Sequence, residues 1–109
     1  MLNSNRGKRT LQYNFEWDPK KAKQSLQKHK VGFERAAEVF LDPFAISVYD
    51  EEHSSDEDRW VTIGRDRGGI LLVVIHTFFE ESGDVCNIRF ISVRKATKKE
   101  VKQYEGDMP

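Results

Sequence analysis

Hydrophobic and polar residues alternate at the start of the chain and then adopt a helical spacing. Apolar side chains occupy every second position from Leu11 to Trp17, with polar residues between them, which predicts a half-buried strand. Asp18-Pro19 marks a helix start, because the carboxylate can cap free N–H groups and proline fits the first turn. The pattern predicts a strongly cationic helix from Pro19 to about His29.

The rest of the chain gives one more short helix, four strands and a final helix. Phe33, Ala36, Ala37 and Phe40 fall on one helical face, and Asp42-Pro43 ends that helix. The later pattern predicts strands over residues 45–49, 59–65, 70–79 and 85–94, with a charged loop at 50–58, turns at 66–69 and 80–84, and a basic helix at 96–104.

This order predicts one α+β domain with a small antiparallel sheet. The elements run β-α-α-β-β-β-β-α, and short loops between the last four strands require an antiparallel meander. A chain of 109 residues supplies one hydrophobic core. We expect residues 11–106 to form that domain, with a flexible basic tail at 1–10 and a short tail at 107–109.

The charge is balanced overall but segregated along the chain. Residues 1–35 hold nine Lys/Arg and three Asp/Glu, residues 36–58 hold eight acids and no Lys/Arg, and residues 89–104 hold six bases and one acid. If the two basic blocks meet in space, they would attract polyanions. No apolar run is long enough for a membrane span or a signal peptide, so we expect a cytoplasmic protein.

Arginine is the residue type that suggests chemistry. Arg59, Arg65, Arg89 and Arg94, followed by Lys95, lie in or at the ends of predicted strands, where arginine is uncommon unless it binds an anion or pairs with acids. The alternative is ion pairing with the acidic loop 50–58. Arg89 and Arg94 are an odd number of residues apart, so they share a face only if a bulge intervenes or Arg94 lies past the strand end.

The histidines and the cysteine do not form a recognisable metal or nucleophile motif. His29, His53 and His76 lie far apart, and the single cysteine, Cys86, fits a packed strand residue, so we expect no metal and no cofactor. His29 follows Lys28 at the end of a helix, where it is either a proton-transfer group or a helix-end histidine. His76 is either a site residue or a core histidine satisfied by a hydrogen bond.

Three motifs occur in order over about residues 13–105. They are Phe15-Glu16-Trp17-Asp18 with Lys28-His29, Val31 and Phe33; then Glu57, Arg59 and Ile63-Gly64; then Arg89, Ile91-Ser92, Arg94-Lys95-Ala96-Thr97, Glu100 and Tyr104. Together they resemble the opening, central and closing motifs of the BrnT toxins. Lys30, Asp58 and Cys86-Asn87 depart from the residues usual in that family.

The resemblance implies a fold, an activity and partners. BrnT proteins are toxins of bacterial type II toxin–antitoxin pairs with a RelE-like fold, and they are ribonucleases that block translation. The resemblance therefore implies an RNA substrate and a BrnA-type antitoxin, a DNA-binding dimer. Operator DNA would be reached only through that antitoxin.

An RNA substrate gives each candidate residue a role. Without a metal, RNA is cut by its own 2′-OH, which requires a base, an acid and cations on the phosphate. We predict that Arg59, Arg89 and Arg94 hold the phosphate with help from Lys28, Arg65 and Lys95, that His29 or, second, His76 transfers a proton, and that Glu57 is a candidate base.

Two other functions compete with this interpretation. A non-enzymatic module could use the same cations to bind a protein or RNA, and an RNA-cleavage assay in EDTA separates it from a metal-independent enzyme. A DNA-binding regulator that acts alone is disfavoured, because the chain shows no helix-turn-helix pattern and has zero net charge.

Overall fold

The elements at the start of the chain follow the hydrophobic pattern. In this computed structural model, which describes residues 12–106, a strand (β1, Gln12–Glu16) leads into a helix (α1, Pro19–His29). Asp18 caps α1 by accepting a hydrogen bond from the Lys20 N–H at 2.9 Å. The helix ends where Lys30 adopts a left-handed conformation with φ of 62°. The predicted bounds of this helix are confirmed.

The later elements complete a β-α-α-β-β-β-β-β-α order. They are α2 (Phe33–Val39), β2 (Ile46–Tyr49), a single 3-10 turn (Glu51–His53), β3 (Arg59–Arg65), β4 (Leu71–Thr77), β5 (Phe79–Ser82), β6 (Val85–Lys95) and α3 (Lys98–Gly106). The tails predicted at residues 1–10 and 107–109 lie outside the described residues, as does Leu11.

The sheet is mixed, so the prediction of an antiparallel sheet was wrong in this respect. Its strands lie in the order β1-β6-β4-β3-β2, and β5 pairs with β6. The later strands are antiparallel, as their short loops require, but β1 runs parallel to β6, from the Gln12–Val85 pair to the Glu16–Arg89 pair. Two helices separate β1 from the next strand, so no tight turn constrains its direction.

Strand β4 is shorter than the strand predicted at residues 70–79. β4 ends at Thr77, and the chain forms a separate short strand, β5, where the pattern predicted the beginning of a turn. All four residues of β5 are exposed, and three of them are polar, so the segment looks like a turn in sequence. It is a strand because it pairs with the first residues of the long strand β6.

Helices α1 and α2 cover one face of the sheet, which we call the helix-covered face. The buried core on this face consists of Val31, Phe33, Ala36, Val39, Leu72, Val74, Ile88, Phe90 and Val93. Phe15 and Trp17 stack on Phe90 with ring centroids 5.2 and 5.8 Å apart. The Ser25 hydroxyl of α1 donates to the Val93 carbonyl at 3.2 Å and accepts from the Val93 N–H at 3.3 Å. Both residues therefore hold α1 against β6.

Candidate functional site

A bulge in β6 places Arg89 and Arg94 on the same face of the sheet. β6 pairs with β4 through Ser92–Ile75 and Phe90–His76, so Ile91 is an extra residue between the two pairs. Arg94 lies opposite Val73, and the Arg89 N–H donates to the Thr77 hydroxyl at 3.2 Å. Val73 and Thr77 share a strand face, because they are four positions apart in β4. Of the two arrangements that would let these arginines share a face, the structure has the bulge, and Arg94 lies within the strand.

Strand β3 adds two more arginines to this face, which we call the arginine face. Arg59 pairs with Thr77 and Arg65 pairs with Leu71 in the antiparallel register of β3 and β4. The four arginines thus form two groups at opposite ends of the strands. Arg59 and Arg89 lie at the Thr77 end, and Arg65 and Arg94 lie at the Leu71 end.

The Leu71 end is occupied by helix α3. The Arg94 guanidinium donates to both carboxylate oxygens of Glu100 at 2.8 Å, and Arg65 pairs with Glu105 at 3.3 Å. Arg65 also lies over the Tyr104 ring, 5.2 Å from its centroid. The hydrogen bonds from Arg94 are the main reason that the pKa of Glu100 falls from 4.5 to about 2, and Glu100 in turn raises the pKa of Arg94. These two arginines hold α3 to the sheet.

The Thr77 end is open. Arg89 pairs with Glu57, and about 40% of each side chain is exposed. The Arg59 guanidinium has no ion-pair partner within residues 12–106, although its backbone N–H donates to the Ser54 hydroxyl at 2.9 Å. Of the four arginines, Arg89 alone pairs with the acidic loop in this part of the chain. Ion pairing with the acidic loop 50–58, the alternative to anion binding, is therefore found for Arg89, whereas Arg65 and Arg94 pair with α3.

Two clefts adjoin the open end, and Glu57 lines both of them. The Arg59 cleft, of about 260 Å³, is lined by Glu52, His53, Ser55, Asp56, Glu57 and Arg59. The Arg89 cleft, of about 400 Å³, is lined by Glu16, Glu57, Asp58, Thr77, Phe78, Phe79, Asn87, Ile88 and Arg89. Glu57 is therefore shared by the two clefts, and the Arg59 cleft also contains His53.

His53 is a candidate that the sequence analysis did not assign to the site. Its Nδ1 lies 2.9 Å from Asp50 Oδ2, and its backbone N–H donates to Asp50 Oδ1 at 3.3 Å. A histidine that is oriented by a carboxylate and lines a cleft with Arg59 can exchange a proton there. In sequence, His53 stood within an acidic run and could not be distinguished from a loop residue. Glu16 was also missed, because its place beside Arg89 depends on the parallel pairing of β1.

Three other predicted site residues lie away from the arginine face. Lys28 and His29 are at the end of α1, on the helix-covered side, one turn beyond Ser25. Lys95 pairs with the core residue Leu72, so its side chain also belongs to the helix-covered face. The sheet therefore separates these three residues from Arg59 and Arg89.

His76 has the geometry of a core histidine. Only 2% of it is exposed, and its ring packs edge-on against Phe40 with centroids 5.1 Å apart. Its Nδ1 donates to the Thr77 carbonyl at 2.8 Å, and its Nε2 lies 2.6 Å from the Thr62 hydroxyl oxygen. Burial lowers the pKa of His76 below 6.5, which favours the neutral ring.

Residues 12–106 contain neither a cluster of metal-ligating side chains nor a membrane-spanning helix. No group of three or more His, Cys, Asp or Glu side chains in this part of the chain could hold a metal ion. None of the described helices is long and apolar enough to cross a membrane.

Comparison with known proteins gives a family match and a structural match. A family model described as the ribonuclease toxin BrnT of a type II toxin–antitoxin system matches residues 17–100. The 1.1 Å crystal structure of the Brucella abortus ribonuclease toxin BrnT superimposes with a TM-score of 0.55 at 25% sequence identity, covering 80% of this chain and all of that one. No curated protein matches the chain in sequence.

Proposed function

The chain belongs to the BrnT family of ribonuclease toxins, and on that premise we propose that it is a metal-independent endoribonuclease with its active site at the open end of the arginine face. The observation that carries the proposal is that Arg59 and Arg89 lie on either side of Thr77 on the arginine face. One of these arginines has no ion-pair partner in the described chain, and the other is held only by a half-exposed carboxylate. An RNA phosphate can displace that carboxylate, since arginine binds phosphate in a bidentate manner.

The proposed reaction is attack of a ribose 2′-OH on the adjacent phosphorus. The 2′-oxygen forms a new bond to phosphorus while the bond from phosphorus to the 5′-oxygen breaks. Glu57 accepts the proton of the 2′-OH once phosphate replaces it at Arg89, and His53 donates a proton to the leaving 5′-oxygen. Arg59 and Arg89 stabilise the charge that builds up on the phosphate oxygens. The products are a 2′,3′-cyclic phosphate and a 5′-OH.

The other predicted residues receive different roles in this proposal. Arg65 and Arg94 act through α3, which they hold against the sheet. Lys28, His29 and Lys95 bind more distant parts of the RNA from the helix-covered side. His76 is too deeply buried to reach a phosphate at Arg89, and it supports β3 and β4 instead.

A cleavage assay with purified protein and single-stranded RNA in EDTA tests the proposal. We expect cyclic-phosphate products, and a loss of about 10²- to 10³-fold in rate for Arg59→Ala and for Arg89→Ala. Arg67→Ala is the matched control, because it removes the same charge from the turn between β3 and β4, at the other end of the sheet.

Each other outcome would contradict a definite part of the proposal. Activity that is lost in EDTA and restored by a divalent ion overturns metal independence. Equal activity in Arg89→Ala and wild type places the cleavage elsewhere or in a contaminant. RNA that binds but stays intact supports the alternative of a non-enzymatic binding module.

We further propose that the toxin acts in the cytoplasm and is neutralised by a BrnA-type antitoxin, through which the complex reaches operator DNA. The family is defined by type II toxin–antitoxin pairs, which supports a protein partner. The packing of α1 on β6 puts Lys28 and Lys95 on the same side of the sheet, which gives an acidic partner a surface to approach. Expression of the chain without a partner should block translation and stop growth, and normal growth with folded protein present would contradict this proposal.

A further inference from the structure

An aromatic cleft lies beside the proposed active site, where α2 leaves part of the helix-covered face uncovered. Its volume is about 240 Å³, and it is lined by Tyr13, Phe40, Ser47, Trp60, His76, Phe78 and Ile88. The rings of Trp60 and Phe78 lie 6.3 Å apart, and those of Tyr13 and Phe40 lie 5.9 Å apart. The cleft therefore presents aromatic surfaces to a flat ligand.

A chain of hydrogen bonds gives this cleft a polar group of fixed direction. Ser47 Oγ lies 2.7 Å from Thr62 Oγ1, which lies 2.6 Å from His76 Nε2. The Nδ1 of His76 must carry a hydrogen, because its partner, the Thr77 carbonyl, can only accept. In the neutral ring Nε2 is then an acceptor, so the Thr62 hydroxyl donates to it and accepts from Ser47.

Ser47 consequently offers the cleft an acceptor. Its single hydroxyl hydrogen is committed to Thr62, and the lone pairs of its oxygen are available to a ligand N–H. A ligand that suits this cleft is thus flat and aromatic, with an N–H group at its edge.

The aromatic cleft adjoins the Arg89 cleft around the end of β4, although the two open on different faces of the sheet. Phe78 and Ile88 line both the aromatic cleft and the Arg89 cleft. A ligand that joins a flat ring to a phosphate can therefore place the ring beside Trp60 and Phe78 and the phosphate at Arg89. A single-stranded nucleic acid has this combination of groups.

We propose that the aromatic cleft binds one unstacked nucleobase of the RNA strand whose phosphate lies at Arg89, with Ser47 accepting a hydrogen bond from the base edge. This inference rests on the proposed ribonuclease function. It adds a base-binding subsite to that function, and with it a source of sequence preference.

Tryptophan fluorescence can report on this cleft directly. The chain has two tryptophans, so Trp17→Phe leaves Trp60 as the reporter. The probe is a short single-stranded 2′-O-methyl RNA, which lacks the attacking hydroxyl, and its matched control is an abasic strand with the same number of phosphates. We expect the base-containing strand to quench Trp60 and to bind about 5- to 150-fold more tightly than the abasic strand.

Variants separate the base site from the phosphate site. Phe78→Ala should remove most of the preference for the base-containing strand, whereas Phe44→Ala, another exposed phenylalanine, should leave that preference unchanged. Ser47→Ala should reduce the preference without changing the fold, since this side chain is exposed. Arg89→Ala should weaken both strands.

Three results would overturn the inference. If both strands bind equally and Trp60 does not respond, while Arg89→Ala still weakens binding, the RNA is held by its phosphates alone and the ribonuclease proposal stands without the base site. If Trp60 responds to the antitoxin and not to RNA, the cleft is a protein-docking site. If the protein neither binds nor cleaves RNA, the proposed function fails together with this inference.

Discussion

Arg89 and Arg94 share one face of the sheet although five positions separate them in β6, because the bulge at Ile91 shifts the alternation by one residue. The two arginines nevertheless have different environments. Arg94 is bound by Glu100 of α3, and Arg89 is bound by Glu57 of the acidic loop. Substitutions at these two positions should therefore separate stability from activity.

Arg94→Ala should lower the free energy of unfolding by about 1 kcal/mol, because it removes a bidentate partner from Glu100. Arg59→Ala should change it by less than about 0.5 kcal/mol, since its guanidinium has no ion-pair partner among the described residues. Urea unfolding measures the change in unfolding free energy for both variants. A double-mutant cycle of Arg94→Ala with Glu100→Gln is the control, and a coupling near zero would show that the pair does not hold α3.

The stability that Glu100 contributes should disappear in acid. Its pKa is lowered to about 2 in the folded protein, so its contribution is complete above pH 4.5 and is lost as the pH falls toward 2. With a quarter of the side chain exposed, solvent screening leaves an expected loss of about 1–2 kcal/mol. The measurement is the difference in unfolding free energy between wild type and Glu100→Gln across this range. A difference that does not vary with pH would contradict the prediction.

His76 should make the protein less stable below about pH 6.5. Burial lowers its pKa in the folded state, so the unfolded chain gains a proton that the folded chain does not bind. The contribution of His76 to the free energy of unfolding should be constant above pH 6.5. Below that pH it should fall by up to about 1.4 kcal/mol per pH unit, until the folded histidine also titrates. His76→Gln is the comparison, since the other two histidines remain. Parallel pH profiles for the two proteins would show that His76 is not held neutral.

His53→Ala should slow RNA cleavage by about 10²-fold or more if this residue protonates the leaving oxygen. His29→Ala should mainly weaken RNA binding, because α1 lies on the opposite side of the sheet from Arg59 and Arg89. Single-turnover rates at saturating protein distinguish the two effects. A large loss of the chemical rate in His29→Ala, with His53→Ala unchanged, would move the proton-transfer site to the helix-covered side.

Association with the antitoxin should slow as the ionic strength rises from low to physiological values. Exposed charges on α1 and β6 are screened over about 8–10 Å under these conditions, and they would no longer steer the encounter. Stopped-flow association rates at several salt concentrations test this. A salt-independent rate, or an interface that maps only to residues 36–58, would mean that the antitoxin does not cover the basic residues of α1 and β6.

The sequence by itself determined the elements whose signals are local. Helix α1 begins at Pro19 and ends at His29 as predicted, and the arginines at 59, 65, 89 and 94 stand out in sequence as unusual strand residues. The motifs also indicated the family that the comparison confirms. Capping and periodicity depend on residues a few positions apart, and motif order is a property of the linear sequence, so none of them requires a tertiary contact to be identified.

Tertiary structure decided which of these residues share a site. The parallel pairing of β1, the bulge at Ile91 and the pairing of β5 with β6 all depend on strands that are distant in sequence, and no local pattern encodes them. The tertiary contacts also paired Arg65 and Arg94 with α3, left Arg59 and Arg89 open beside Glu57, and buried His76 against Thr62. A residue type limits the chemistry that a position can perform, but burial and partners decide whether the side chain can meet a substrate.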